Sequence, residues 1–90
     1  MATMDRPRRR RQTAPPDWDL VRVDPTSRRL TNRTGAPARS LKVVVAETQT
    51  AVALRDVVDD AGSVTFRSPP DARLAVSWIA PTGDLRVRLL

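Results

Sequence analysis

"ARLAVSWIAPTGDLRVRLL", Ala72 to Leu90, is the stretch whose reading decides the fold. Leu74, Val76 and Trp78 alternate with Ala75 and Ser77. Leu85, Val87 and Leu89 alternate with Arg86 and Arg88. Both arms therefore carry the two-residue period of half-buried strands. Between them Pro81 presets a turn dihedral and Gly83 supplies a left-handed position, so the arms pair as a hairpin. On this reading Leu85 and Val87 belong to the core. Arg86 and Arg88, with Arg73, form a basic stripe on the outer face, a common guard against strand addition at a sheet edge.

Working outward from the hairpin, short apolar runs recur and are stopped by turn residues. "WDLVRV" from Trp18 is a first strand, ended by Asp24-Pro25-Thr26-Ser27. "RRLTN" is a short second strand. "RTGAPA" breaks the chain before "RSLKVVVAE", whose β-branched valines make a central strand. "SVTF" alternates Val64 and Phe66 against Ser63 and Thr65. The stretch Thr48 to Asp60, "TQTAVALRDVVDD", admits two readings. As a helix it aligns Ala51, Leu54, Val57, Val58 and Ala61, with Gly62 as terminator. That helix places Asp56, Asp59 and Asp60 at the negative end of its dipole. As a strand it points Val52 and Leu54 inward, with "RDVVDDAG" as the return loop, and the strand is favoured.

About seven strands then fall within some seventy residues, a spacing that predicts an all-β fold, a small antiparallel β-sandwich. The expected core is Trp18, Leu30, Leu41, Val43, Val45, Phe66, Val76, Trp78, Leu85 and Val87. The sandwich spans 18–90, preceded by an extended basic, proline- and arginine-rich arm at 1–17. A body of this size buries only about 60% of the surface its unfolded chain exposes, so its stability is marginal without a partner.

Composition narrows the chemistry. The chain has 90 residues and a net charge of +6, with fifteen arginines, one lysine and neither cysteine nor histidine. No disulfide, thiolate metal site or cysteine nucleophile can form. The commonest general base and metal ligand is missing too. Ser63, Ser68 and Ser77 lack an activating partner, and Lys42 reads as an ordinary outward strand residue. Asp56, Asp59 and Asp60 lack the spacing of a calcium loop and read as a solvated turn. "RTGAPA" lacks the glycines and the Gly-Lys-Ser/Thr ending of a phosphate cradle. The expectation is a protein that is not an enzyme and uses no cofactor or metal.

Residues 1–16 hold five arginines and one acid, whereas residues 17–90 are nearly balanced. Arg6, Arg8, Arg9, Arg10 and Arg11 precede the stiffening pair Pro15 and Pro16, with no apolar stretch that would read as a secretory signal. The longest apolar runs, such as Val43–Ala46, are far too short to span a bilayer. A soluble product of the cytoplasm is expected. Alone, such a leader cannot bury enough apolar surface to offset its ordering entropy. Three roles stay open for it: a solvated tail, a protein-docking arm whose guanidinium forks pair with carboxylates, or a counterion to nucleic-acid phosphates. No aromatic is interleaved among the arginines, so a stacking platform for single strands is absent. Docking takes the largest share.

"WDL" followed by "RRLTNRTGAPARSLKVVV" resembles the early strands of immunoglobulin-like domains of the CARDB or fibronectin type III kind. Many of these join an Asn-x-Thr/Gly-rich turn and a small residue to a valine-rich strand. The chain departs from the antibody type by lacking the paired cysteines, and Trp78 lies late in the sequence. The resemblance implies an immunoglobulin-like sandwich that binds proteins or carbohydrates or serves as a spacer. In layout, a small sandwich with a charged N-terminal arm also resembles the head decoration proteins of tailed bacteriophages. The expectation is therefore a structural module that docks on a protein assembly, a major capsid protein lattice in the virion, through Arg6, Arg8, Arg9, Arg10, Arg11, Pro15 and Pro16. A homo-oligomer is among the partners expected, nucleic acid is the alternative, and a membrane is not expected.

Overall fold

A computed structural model describes residues 17–90. Seven strands fill this span: β1 (Trp18–Asp24), β2 (Ser27–Asn32), β3 (Ala38–Val45), β4 (Thr50–Val58), β5 (Ser63–Arg67), β6 (Leu74–Ile79) and β7 (Leu85–Leu89). They form two antiparallel sheets, one of three strands in the order β1-β2-β5 and one of four in the order β4-β3-β6-β7. The all-β sandwich expected from the strand spacing is the fold observed. The final hairpin is also present: the Ala80 N–H donates to Asp84 O at 2.8 Å, and Gly83 takes a φ of 91°.

The core lies between the sheets and is built from alternate residues of the central strands. Leu30, Leu41, Val43, Leu74 and Val76 are almost wholly buried, and Val64 and Phe66 pack with them. Trp18 from the narrow sheet meets Trp78 from the wide one edge to face, with ring centroids 5.3 Å apart and planes at 69°. Such a pair adds about 0.5–1.5 kcal/mol beyond the area it buries. With only three aromatics in the chain, these two rings fill much of the volume across the seam.

β2 closes both ends of the sandwich. At one end Asn32 is fully buried. Its side-chain amide donates to the carbonyls of Ala36, Val58 and Asp59 at 2.8, 3.1 and 3.2 Å, and its oxygen accepts from the N–H and hydroxyl of Thr34. Its backbone pairs with the turn after β4: the Asn32 N–H donates to Gly62 O and the Ala61 N–H donates to Asn32 O. At the other end the Arg28 guanidinium donates to the carbonyls of Ala72 at 3.1 Å and Pro69 at 3.2 Å, and also to Pro70. Arg22 adds a bond to Pro70 O at 3.2 Å. One strand thus ties down the connections at both poles.

Three expectations need correction. The strand favoured over a helix within Thr48–Asp60 is observed as β4, but it runs further than predicted: Arg55 to Val58 stay paired with β3, leaving only a short turn at 59–62. Within β4 the inward residue is Ala53, while Leu54 is 61% exposed. The cause is a bulge. Val43 pairs with Ala53 but Val44 with Ala51, so Val52 is an extra residue that shifts the two-residue phase. Val52 itself packs against the core.

The third correction falls on the hairpin. Leu85 and Val87, placed in the core by pattern, are each 66% exposed. In an antiparallel ladder, paired residues share a face. Arg86 pairs with Trp78 and Arg88 with Val76, so the arginines point to the core side, and Leu85, Val87 and Leu89 share the outer face with Ile79, Ser77 and Ala75. Every residue of β7 is exposed because this strand projects beyond the narrower sheet. No apolar surface lies opposite it to bury a leucine. Arg86 and Arg88 are therefore not an outer-face stripe.

Replacing Asn32 with alanine strands three carbonyls and the Thr34 N–H in a closed site. Urea unfolding is expected to show a loss of roughly 2–4 kcal/mol; a loss below about 1 kcal/mol contradicts this role. In the β1–β2 turn, the Thr26 N–H donates to Asp24 Oδ1 at 2.9 Å. That bond is the main cause holding the Asp24 carboxyl below its ordinary value of 3.8. A lowered folded-state pKa stabilises the turn above the unfolded value, and the contribution is lost as pH falls through the folded one. A carboxyl-carbon NMR titration of Asp24 is expected to give a midpoint under 3.8; a midpoint above it contradicts the assignment.

Candidate functional site

Arg6, Arg8, Arg9, Arg10, Arg11, Pro15 and Pro16 lie outside the described residues. What the structure fixes is their root. Asp17 is held at both ends of its residue: its carbonyl accepts from the Arg33 N–H at 2.8 Å, and its carboxylate pairs with the Arg88 guanidinium. The chain therefore joins the body beside the overhanging strand β7.

The body offers one conspicuous surface, the outer face of the four-stranded sheet. Ladder register arranges it in three rows across β4, β3, β6 and β7. Ala51, Val44, Ala75 and Leu89 form one, Leu54, Lys42, Ser77 and Val87 the next, and Val57, Arg39, Ile79 and Leu85 the third. Of the seven large apolar residues that stand exposed among the described residues, Leu54, Val57, Leu85, Val87 and Leu89 are on this face. Shallow grooves run over it. One is lined by Lys42, Val44, Gln49, Leu85 and Val87, another by Pro37, Arg39, Val57, Ile79 and Pro81. Single exposed apolar side chains are normal, but a contiguous set rimmed by polar residues marks an interaction surface.

Five of the body's cations are committed elsewhere. Arg88 pairs with Asp17, Arg86 with Asp84 at 3.8 Å and Arg33 with Asp19 at 3.8 Å. Arg28 and Arg22 hold loop carbonyls, as described above. Arg73 lies in the β5–β6 connection and not in a stripe with Arg86 and Arg88. Exposed pairs like these contribute little stability each, yet they neutralise charge that a phosphate backbone would require. Lys42 and Arg39 stand on the apolar face itself.

Sequence reasoning placed the functional residues in the leader and missed this face. One signal was present: Val52, Ala53 and Leu54 are consecutive apolar residues in β4, and a strand apolar on both sides has two faces to cover. No helix among the described residues is long and apolar enough to cross a membrane. No known protein family, curated protein or solved structure matches the chain.

Replacing Leu54 and Leu85 together with serine is expected to change unfolding free energy by no more than about 0.5 kcal/mol, since neither fills core volume. The same pair is expected to abolish binding of a hydrophobic fluorescent dye. Leu41→Ala, in the core, should cost about 3 kcal/mol by the same unfolding assay. Equal destabilisation by the two changes would refute the exposed-face assignment.

Proposed function

We propose that this chain is a non-enzymatic structural module that docks on a larger protein assembly, with the arginine-rich leader as strap and the sandwich as cap or spacer. The setting is a virion, with a tailed bacteriophage's capsid lattice as the assembly and the cytoplasm as the place of synthesis. The observation that carries the reading is the apolar outer face of the wide sheet, where Leu54, Leu85 and Val87 stand more than 60% exposed. That surface, mostly apolar with Lys42 and Arg39 set into it, suits a protein partner. Two anchors on one chain, a leader rooted beside β7 and a face that includes β7, raise each other's effective concentration.

The immunoglobulin-like resemblance belongs to the same proposal. Chain crossings between sheets after β2, β4 and β5 support it, because Greek-key connections of this kind characterise such sandwiches. The lack of histidine and cysteine supports a role without catalysis, metal or cofactor.

The test is cosedimentation of the full chain with capsids assembled from the major capsid protein encoded in the same genome, alongside duplex DNA. Three proteins are compared: the natural chain, one with Arg6, Arg8, Arg9, Arg10 and Arg11 changed to serine, and the Leu54→Ser, Leu85→Ser variant. The expected result is capsid binding that falls at least about tenfold in either variant, a loss of 1.4 kcal/mol or more, and no DNA retention at physiological salt. DNA retention with a log–log salt slope of about −4 to −5, lost with the arginines and without capsid binding, would establish the nucleic-acid alternative.

A further inference from the structure

β7 is an edge strand whose free side can be read in detail. The Ala80 N–H donates to Asp84 O and the Leu90 N–H to Leu74 O. These pairs fix the hydrogen-bonding phase of the β6–β7 ladder. Alternation then gives the paired groups to Arg86 and Arg88, and turns the N–H and C=O of Leu85, Val87 and Leu89 away from β6. Three residues thus present a row of donors and acceptors at the edge.

The sequence of that strand, Leu85-Arg86-Val87-Arg88-Leu89, reads the same in both directions. We propose that β7 pairs antiparallel with β7 of a second copy about a two-fold axis through Val87, joining two four-stranded sheets into one of eight. In this register Val87 opposes Val87, and Leu85 opposes Leu89 of the second copy. These are the residues whose backbone groups face the edge, and each opposed pair exchanges two hydrogen bonds. The register that backbone phase demands is the one that matches the side chains. A two-fold contact requires such self-complementarity.

The other edges are poorer templates. The β1 ladder is interrupted between Arg22 and Asp24, and β4 carries the bulge at Val52. β5 leads through Ser68 directly to Pro69 and Pro70. β7 is regular throughout and has no proline. Its arginines oppose each other across the axis, Arg86 against Arg88 of the second copy, which disfavours pairing if their charge is free. It is not free: Arg86 has Asp84 and Arg88 has Asp17. Two arginines and two aspartates per copy balance along the seam.

The test measures the full chain by sedimentation velocity and amide hydrogen exchange. The expected result is a concentration-dependent dimer in which the Leu85, Val87 and Leu89 amides are protected. Val87→Pro removes an N–H that β6 does not use, a position where an edge strand tolerates proline, and is expected to weaken the dimer at least about tenfold. Asp84→Asn frees the charge of Arg86 opposite Arg88 of the second copy, and is expected to weaken the dimer by about threefold or more. A monomer at every concentration up to about 1 mM, or a dimer whose three outward amides exchange freely, overturns the proposal. So does a dimer tightened by Asp84→Asn. Protection of those amides in a monomer overturns it as well, and assigns the edge to the chain's own leader. Should Val87→Pro fail to fold, the Asp84→Asn affinity and the exchange data decide alone.

Discussion

A sheet of three strands can cover the inner side of only part of a sheet of four, and that mismatch governs how the rest of the molecule is arranged. β3 and β6, in the middle of the wide sheet, have β1, β2 and β5 to face, and their inward residues are buried. β7 has nothing to face. Its core-side positions are filled by Arg86 and Arg88, whose charged ends reach water and the carboxylates of Asp84 and Asp17. Its apolar residues turn outward, onto a face already made apolar by Val44, Leu54, Val57 and Ile79. The overhang therefore converts the pattern of a buried hairpin into a surface.

Stability has to come from the seam and the poles. The edge-to-face tryptophans span the seam, and β2 carries a polar clasp at each end, Asn32 at one and Arg28 at the other. Asn32 is the sharper of the two, being fully buried with both ends of its amide engaged. Buried polar networks of this kind are costly when half-satisfied and help fix one arrangement when complete. A body of some seventy residues has little surplus stability. Covering the outer face through a partner adds burial that the fold alone cannot provide, and binding to the folded state stabilises it by mass action.

Much of the fold was legible in the chain. Short alternating runs and turn residues gave seven strands, and the Pro81 and Gly83 turn gave the last hairpin. The central core residues from Leu30 to Trp78 follow from period-two patterning. What patterning could not supply was the identity of the face. A period of two says that Leu85, Val87 and Leu89 share a side; which side depends on what lies across from β7, and that is set by the width of the other sheet. The Val52 bulge is a second such case, because one inserted residue brings Ala53 inward and turns Leu54 outward while the composition of β4 stays unchanged. Asn32 reads in sequence as a turn-proximal polar residue. Its role comes from carbonyls of Val58 and Asp59, distant in the chain and invisible to local pattern.

The claim on which the rest turns is that the wide sheet wears its β7 leucines and valine outward, with the arginines on the core side. Methyl NMR of the dilute protein with a soluble gadolinium chelate reads this directly. The methyl signals of Leu85, Val87 and Leu89 should broaden as strongly as those of Leu54, while Leu41, Val43 and Val76 stay sharp. Leu85 and Val87 methyls as sheltered as Val76 would mean that the hairpin is buried the other way round, and the outer face would cease to exist as a surface.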